Sequence, residues 1–190
     1  MASMDKRTYS PVVAQDSSRY ESIWSSEKGI NSAEVVLEEP SAHSCTLKCM
    51  VAVSRKCDSA EMSMDIRGHW NHVEDYSFRL FDGNFMGWAI GRLDVVGGPH
   101  DNIGMDFPLG KVRVYTPHFH KFDASGFEYA YRTKVIDAHE SSIKVDRSFG
   151  LKCFLDEENI KYNGQVVLKS NSLLQPSNNE PEDPLKGEDF

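Results

Sequence analysis

Two histidines flank a phenylalanine in the stretch Pro117-His118-Phe119-His120, and Glu128 follows on the next apolar segment. Imidazole and carboxylate groups are the side chains that bind divalent transition metals. Glu128 lies too far along the chain for the usual ligand spacing, and it alternates with the apolar residues of its own segment. The sequence therefore predicts two loop histidines and no metal site at this position.

A second set of potential metal ligands lies in residues 58–73, for which a capping box of Asp58 and Glu61 predicts a helix. On such a helix one face would carry acidic residues and histidines that could bind zinc or iron, namely Glu61, Asp65, His69 and His72. Acidic residues in a first helical turn are already explained by the helix dipole, so this face is interpreted as solvated. Trp70 shares the apolar stripe of this helix and is predicted to be a structural anchor in the core.

Motifs for nucleophilic catalysis and phosphate binding are missing from the sequence, which has no Gly-x-Ser-x-Gly and no glycine-rich loop followed by Lys-Ser/Thr. The cysteines are interpreted as reduced thiols without a disulfide, because no secretory signal precedes them; they are Cys45, Cys49, Cys57 and Cys153. We therefore assign no catalytic residue, no cofactor and no small-molecule substrate, and expect a protein that is not an enzyme.

The most basic part of the chain is residues 111–134, where five basic and two acidic residues alternate with aromatic ones. Basic residues beside exposed loop aromatics suit a membrane interface or single-stranded nucleic acid. We call these residues the basic aromatic hairpin and predict a membrane or partner contact by Lys111, Arg113, Phe119, Lys121, Phe122, Arg132 and Lys134. A half-buried hairpin with a solvated basic face is the alternative.

The elements that would position these residues are mostly strands. Alternation of apolar and polar residues predicts strands over residues 45–53, 76–81, 85–96, 111–116, 127–136 and 143–155, with a turn at Asp82-Gly83-Asn84. Asn163-Gly164 between two further apolar segments predicts a β-hairpin. The expected fold class is α+β, a mostly antiparallel β-sheet body with one early amphipathic helix.

Composition and charge divide the 190-residue chain into three parts. Residues 1–43 are predicted to be a flexible arm, 44–174 a single globular α+β domain, and 175–190 a disordered acidic tail. The net charge of -8 lies mainly in the two ends, which disfavours long-range attraction to nucleic acid or anionic lipid. No apolar segment has the length of a transmembrane helix, so any membrane contact would be peripheral.

The segment Gly68-His69-Trp70-Asn71-His72-Val73 resembles the His-Trp-Asp-His stretch in the first core helix of rhabdovirus matrix proteins. Residues 148–152, Ser-Phe-Gly-Leu-Lys, and the acidic residues 156–158 are similar to a late strand and its closing turn in that family. The arm is acidic and lacks a Pro-Pro-x-Tyr motif, which fits a divergent member from a plant-infecting lineage.

This resemblance implies a viral matrix-type structural protein that self-associates and bridges the nucleocapsid and a membrane surface during virion assembly. It implies a location in the virion and, as a peripheral membrane protein, in the host cytoplasm. Two alternatives stay open: a small β-rich binding module that acts on a host protein or RNA, and a metal-dependent enzyme.

Overall fold

The structure, a computed structural model, describes residues 8–38, 45–58, 60–102 and 113–169. Strands dominate these residues, and four helices accompany them. In chain order the elements are α1 (Pro11–Gln15), α2 (Ser17–Ser25), β1 (Lys28–Gly29), β2 (Glu34–Glu38), β3 (Thr46–Arg55), β4 (Glu61–His69), β5 (Tyr76–Phe81), β6 (Ala89–Asp94), β7 (His100–Asp101), β8 (Arg113–Val114), β9 (His118–Phe122), β10 (Glu128–Tyr131), α3 (Lys134–Val145), α4 (Arg147–Glu157), β11 (Ile160–Lys161) and β12 (Gln165–Lys169).

Ten of the strands form one mainly antiparallel sheet in the order β10-β9-β6-β5-β4-β3-β1-β11, with β2 on β3 and β12 on β2. Strands β7 and β8 form a separate two-stranded pair. The predicted strands over 45–53 and 76–81 are confirmed by β3 and β5, as is the turn at Asp82-Gly83-Asn84. The expected mixed α+β class with a predominantly antiparallel sheet is confirmed.

The predicted helix over 58–73 is wrong, because these residues form strand β4 and the turn that follows it. Met62, Met64 and Ile66 are buried on one face of this strand, whereas Arg67 is exposed on the other. Met62 and Ile66 fit a helical spacing and a strand spacing equally well, and Met64 fits the strand alone. Pairing with β3 and β5 on both sides fixes the strand.

The predicted strand over 143–155 is also wrong, because α3 ends and α4 begins within it. The side chain of Asp146 caps α4 by accepting hydrogen bonds from the backbone N–H groups of Ser148 and Phe149 (2.8 and 3.1 Å). Phe154 of α4 then packs against Phe78 and Phe119 of the sheet, with ring centroids 5.5 and 6.5 Å apart. The two helices therefore cover one face of the sheet and close the core.

The prediction of a flexible arm is wrong for residues 8–38. Tyr20 and Ile23 of α2 and Val35 of β2 are almost fully buried. The Tyr20 hydroxyl donates a hydrogen bond to the carbonyl of Ile90 (2.7 Å) and accepts one from the N–H of Phe122 (3.0 Å), so it joins β6 to β9 where their ladder opens. Residues 1–7 and 39–43 of the predicted arm lie outside the described residues.

The predicted hairpin around Asn163-Gly164 is wrong as well. The two flanking segments are strands, but β11 pairs in parallel with β1 and β12 pairs in parallel with β2. Strands β1 and β2 of the N-terminal segment thus take the place that β11 and β12 would have for each other in a hairpin. The predicted acidic tail, residues 175–190, lies outside the described residues.

None of the helices in the described part of the chain has the length and apolarity of a membrane span.

Candidate functional site

A cluster of ionisable side chains lies on the sheet face opposite α4, where β6 meets β9. In this antiparallel pair Asp94 is the register partner of His118, and Arg92 is the partner of His120. Residues that face each other in register project to the same side of a sheet. We call the residues that meet here the histidine cluster: Arg92, Asp94, His100, His118, His120 and Glu128.

The histidine cluster is compact. The metal-ligating atoms of Asp94, His118 and His120 all lie within 4.8 Å of one another, and Asp94 Oδ2 is 3.2 Å from His120 Nε2. The ring of His100, from β7, lies 4.8 Å from that of His120. His118 and His120 are each 2% exposed, so both imidazoles are withdrawn from bulk water.

Two acidic and one basic side chain set the charge balance of this cluster. Arg92 Nε lies 3.0 Å from Asp94 Oδ2, and its Nη2 lies 3.0 and 3.1 Å from the two ring nitrogens of His120. Glu128 Oε1 is 3.8 Å from both Arg92 Nη2 and His120 Nδ1. The site therefore combines three imidazoles with one ion pair and a nearby second carboxylate.

Burial and the neighbouring charges together set the protonation of these groups. Burial and the neighbouring His120 lower the pKa of His118 to about 4, and burial also lowers the pKa of His100. Burial alone would raise the pKa of Asp94, but the hydrogen bond with His120 and the charge of Arg92 outweigh it and lower the pKa. At neutral pH His118 is therefore an uncharged imidazole beside an ionised carboxylate, which is the state in which both groups bind metals.

The interpretation of His118 and His120 as loop residues is wrong, because both lie in β9. A His-x-His spacing within a strand places both imidazoles on one face. Glu128 also reaches the cluster, because β10 pairs with β9 and so brings Glu128 next to His120 despite their separation along the chain. Asp94 and Arg92 carry no local sequence signal for this role.

The basic aromatic hairpin does not present its aromatic residues. Phe119 and Phe122 are each 1% exposed in β9, where Phe119 stacks on Tyr131 and Phe122 packs edge-on against Tyr20. Their assignment as exposed contact residues is wrong. Both belong to the hydrophobic core.

Most of the positive charges of this hairpin have acidic partners. Arg113 pairs with Asp101 (2.7 Å), and Arg132 pairs with Asp137 and Glu140 (2.7 and 2.8 Å). Lys121 lies over the ring of Trp24 and 3.8 Å from Glu21. Lys134 is exposed, and Lys111 lies outside the described residues. The described residues do not form the continuous basic surface that the sequence predicts.

Trp70 is not a core anchor, because 38% of it is exposed in the turn after β4. The potential metal ligands of that helix are also separated: Glu61, Asp65 and His69 lie four residues apart along a strand, so successive ones are roughly 13 Å from each other. Only the rings of His69 and His72 meet, with centroids 4.8 Å apart. All four cysteines are free thiols, and Cys45 and Cys57 are exposed.

One end of the sheet carries several exposed apolar side chains from separate chain segments. Three turns or strand ends converge there: the β4–β5 turn, the end of β6 and the start of β9. Arg147 joins the start of α4 to this end by donating to the carbonyls of His69 and His72. We call the following residues the sheet-end surface: Trp70, Val73, Val96, Tyr115 and Val145.

Two buried ionisable residues, Lys28 and Glu158, lie outside both the sheet-end surface and the histidine cluster. Lys28 Nζ donates hydrogen bonds to the carbonyl oxygens of Trp24, Ser26 and Glu158 (2.8, 3.0 and 2.8 Å). The two carboxyl oxygens of Glu158 are buried without a hydrogen-bond partner. Burial raises the pKa of Glu158 to about 8 and lowers the pKa of Lys28. This pair is interpreted as part of the core, because it is closed off from solvent.

Comparison of the chain with protein-family models, with curated proteins and with solved structures finds no match. Two features of this chain bear on its function: the apolar sheet-end surface and the buried histidine cluster.

Proposed function

We propose that this protein is a non-enzymatic structural protein that self-associates through the sheet-end surface. The observation that carries the proposal is the concentration of exposed apolar side chains at one end of the sheet. Single exposed apolar residues are ordinary, but several that converge from distant segments are typical of protein–protein contacts.

A second copy of the chain is the occupant that the apolar character of this surface favours. The net charge of -8 gives the protein no long-range attraction to nucleic acid or anionic lipid, so such partners would need a local contact. In a two-fold contact the same surface meets itself, so an apolar surface is complementary to its own copy without opposite charges. The exposed acidic residues Glu74 and Asp75 border this surface, and their repulsion should weaken when salt is added.

The resemblance to rhabdovirus matrix proteins gives this proposal its specific form. Such a protein would assemble in the host cytoplasm and in the virion, and would contact the nucleocapsid and a membrane surface as a peripheral protein. The support is sequence similarity at residues 68–73 and 148–152. The structure places those residues in a strand end with its turn and in helix α4, where the resemblance implies a helix and a strand, so the support comes from the sequence alone.

The test is sedimentation velocity of the full chain over a range of protein concentrations. Tyr115→Asp places a charge in the sheet-end surface at a side chain that is 62% exposed, so folding should persist while dimerisation weakens by about tenfold or more. Trp88→Asp is the matched control, because Trp88 is 59% exposed at the opposite end of the sheet. We expect the control to associate like the unmodified chain.

Salt provides a second readout of the same proposal. Raising the ionic strength from about 0.01 to 0.15 M shortens the screening length from roughly 30 to 8 Å, so the dimer should become tighter. A chain that stays monomeric at high concentration in both salts would support the isolated binding module instead. Equal weakening by Tyr115→Asp and Trp88→Asp would show that the sheet-end surface is not the contact.

A further inference from the structure

We propose that Asp94, His118 and His120 form a binding site for a divalent transition-metal cation, with zinc as the best match. This inference is independent of self-association. The separation of Glu128 along the chain predicted no metal here, whereas the structure places both histidines in β9 and brings Asp94 and Glu128 beside His120.

The spacing of the three side chains suits a metal ion. Tetrahedral zinc holds nitrogen and oxygen ligands at about 2.0–2.1 Å, which separates neighbouring ligand atoms by about 3.3 Å. His120 Nε2 and Asp94 Oδ2 are already 3.2 Å apart, and the ligating atom of His118 lies within 4.8 Å of both. A rotation of the His118 side chain would bring the three atoms into coordination distance.

A second observation points to a ligand at this place. His118 Nδ1 is buried without a hydrogen-bond partner, in a residue that is 2% exposed. A buried nitrogen without a partner is destabilising, and a bound cation would satisfy it. His100, whose ring borders that of His120, is the side chain placed to supply a fourth ligand, whereas Glu128 faces the other ring nitrogen of His120, Nδ1.

Two imidazoles and one carboxylate select among metals. Imidazole favours zinc, copper, iron and nickel, whereas magnesium and calcium prefer sites made of oxygen alone. Two ligands come from β9 and one from β6, so the sheet itself holds the site in place. Zinc is the probe of choice because it needs no particular oxidation conditions.

Arg92 is the residue that opposes metal binding. Its guanidinium lies against Asp94 and His120, and its register partner on the other side is Arg79. A bound cation would displace Arg92 from Asp94 toward Glu128, which is 3.8 Å away. Removing the charge with Arg92→Gln should therefore tighten zinc binding by about tenfold or more, whereas a purely structural cluster would not respond in this way.

The experiment is equilibrium dialysis of the chelator-treated full chain against zinc chloride, followed by elemental analysis. We expect one zinc ion per chain at micromolar concentrations. Asp94→Asn and His118→Gln should each weaken binding more than about 100-fold, since losing even an outer partner of a metal ligand costs about 10–100-fold. His72→Gln is the matched control, because it alters the other imidazole pair and should leave this binding unchanged.

Two further readouts keep the test decisive. Cobalt should give the visible absorption of a tetrahedral nitrogen and oxygen site, and Asp94→Asn, whose side chain is partly exposed, should remain folded by circular dichroism. Failure to bind zinc stoichiometrically would overturn the proposal. So would binding that survives Asp94→Asn and His118→Gln but disappears in His72→Gln.

Discussion

Replacing Tyr20 with alanine is expected to lower the free energy of unfolding by about 4 kcal/mol or more. Tyr20 is 1% exposed, and its hydroxyl satisfies the Ile90 carbonyl and the Phe122 N–H between β6 and β9. The substitution removes a buried ring and leaves two backbone groups without partners. Urea denaturation followed by circular dichroism measures the change.

Trp70→Ala is the matched comparison. Because 38% of Trp70 is exposed, its loss should cost about 1–2 kcal/mol, clearly less than Tyr20→Ala. Tyr20→Phe should also cost less than Tyr20→Ala, at about 1–3 kcal/mol, since only the two hydrogen bonds are lost. The reverse order, with Trp70→Ala the more damaging, would mean that residues 8–38 do not belong to the core as described.

Glu158→Gln is expected to stabilise the protein, and the gain should grow between pH 5 and pH 8. Burial raises the pKa of Glu158 to about 8 in the fold, whereas it is near 4.5 in the unfolded chain. A group whose pKa is raised on folding contributes its full stabilisation of the folded state at pH values below its pKa in the unfolded chain. That contribution is lost as the pH rises toward and through its pKa in the folded state. Glutamine has nearly the shape of the neutral carboxyl group and does not ionise, so the variant should not lose this stability as the pH rises. Near pH 8 we expect Glu158→Gln to be more stable than the unmodified chain by about 2–4 kcal/mol.

The neighbouring Lys28 does not reverse this sign in the chosen window. Burial lowers its pKa to about 8, so it is protonated in both states through most of the range from pH 5 to pH 8. Glu157→Gln is the control: its carboxylate accepts a hydrogen bond from the Tyr131 hydroxyl, which glutamine can also accept. Parallel stability curves for the unmodified chain and Glu158→Gln would show that the carboxyl group is not held neutral in the core.

Local patterns predicted the strands whose partners lie next to them in the chain. In β3 and β5 the alternation of inward and outward residues is unambiguous, and both strands form as expected. In β4 the residue that distinguishes a strand from a helix is Met64. It lies off the apolar stripe of a helix but on the buried face of a strand. The two-residue period of a strand is therefore present in this segment, although a helix was predicted from the spacing of its other apolar residues.

Other errors came from contacts that no local pattern contains. Tyr20 and Ile23 belong to a helix of only nine residues, whose apolar side is too short to give a clear period. Asn163-Gly164 has the composition of a hairpin turn, yet parallel pairing with distant strands decides its surroundings. The histidine cluster likewise depends on β6, β9 and β10 meeting, which brings Asp94 and Glu128 to His120.

The sheet-end surface was equally invisible in the sequence. Trp70 looked like a core residue, and Val96 and Tyr115 lay in separate predicted strands. Their convergence follows from the register of β5, β6 and β9. The function proposed for this surface depends on the tertiary structure, whereas its viral matrix form depends on the resemblance alone.

Thiol cross-linking tests self-association through the sheet-end surface most directly. The exposed Cys45 lies at that end, where its carbonyl accepts a hydrogen bond from the N–H of Trp70 (2.6 Å), and the exposed Cys57 lies in the turn at the opposite end of β3. Treatment with a short bismaleimide should give covalent dimers of the Cys57→Ser variant, which keeps Cys45, and few of the Cys45→Ser variant. Equal or greater cross-linking of Cys45→Ser, or none in either variant at concentrations where the chain is expected to dimerise, would contradict the account.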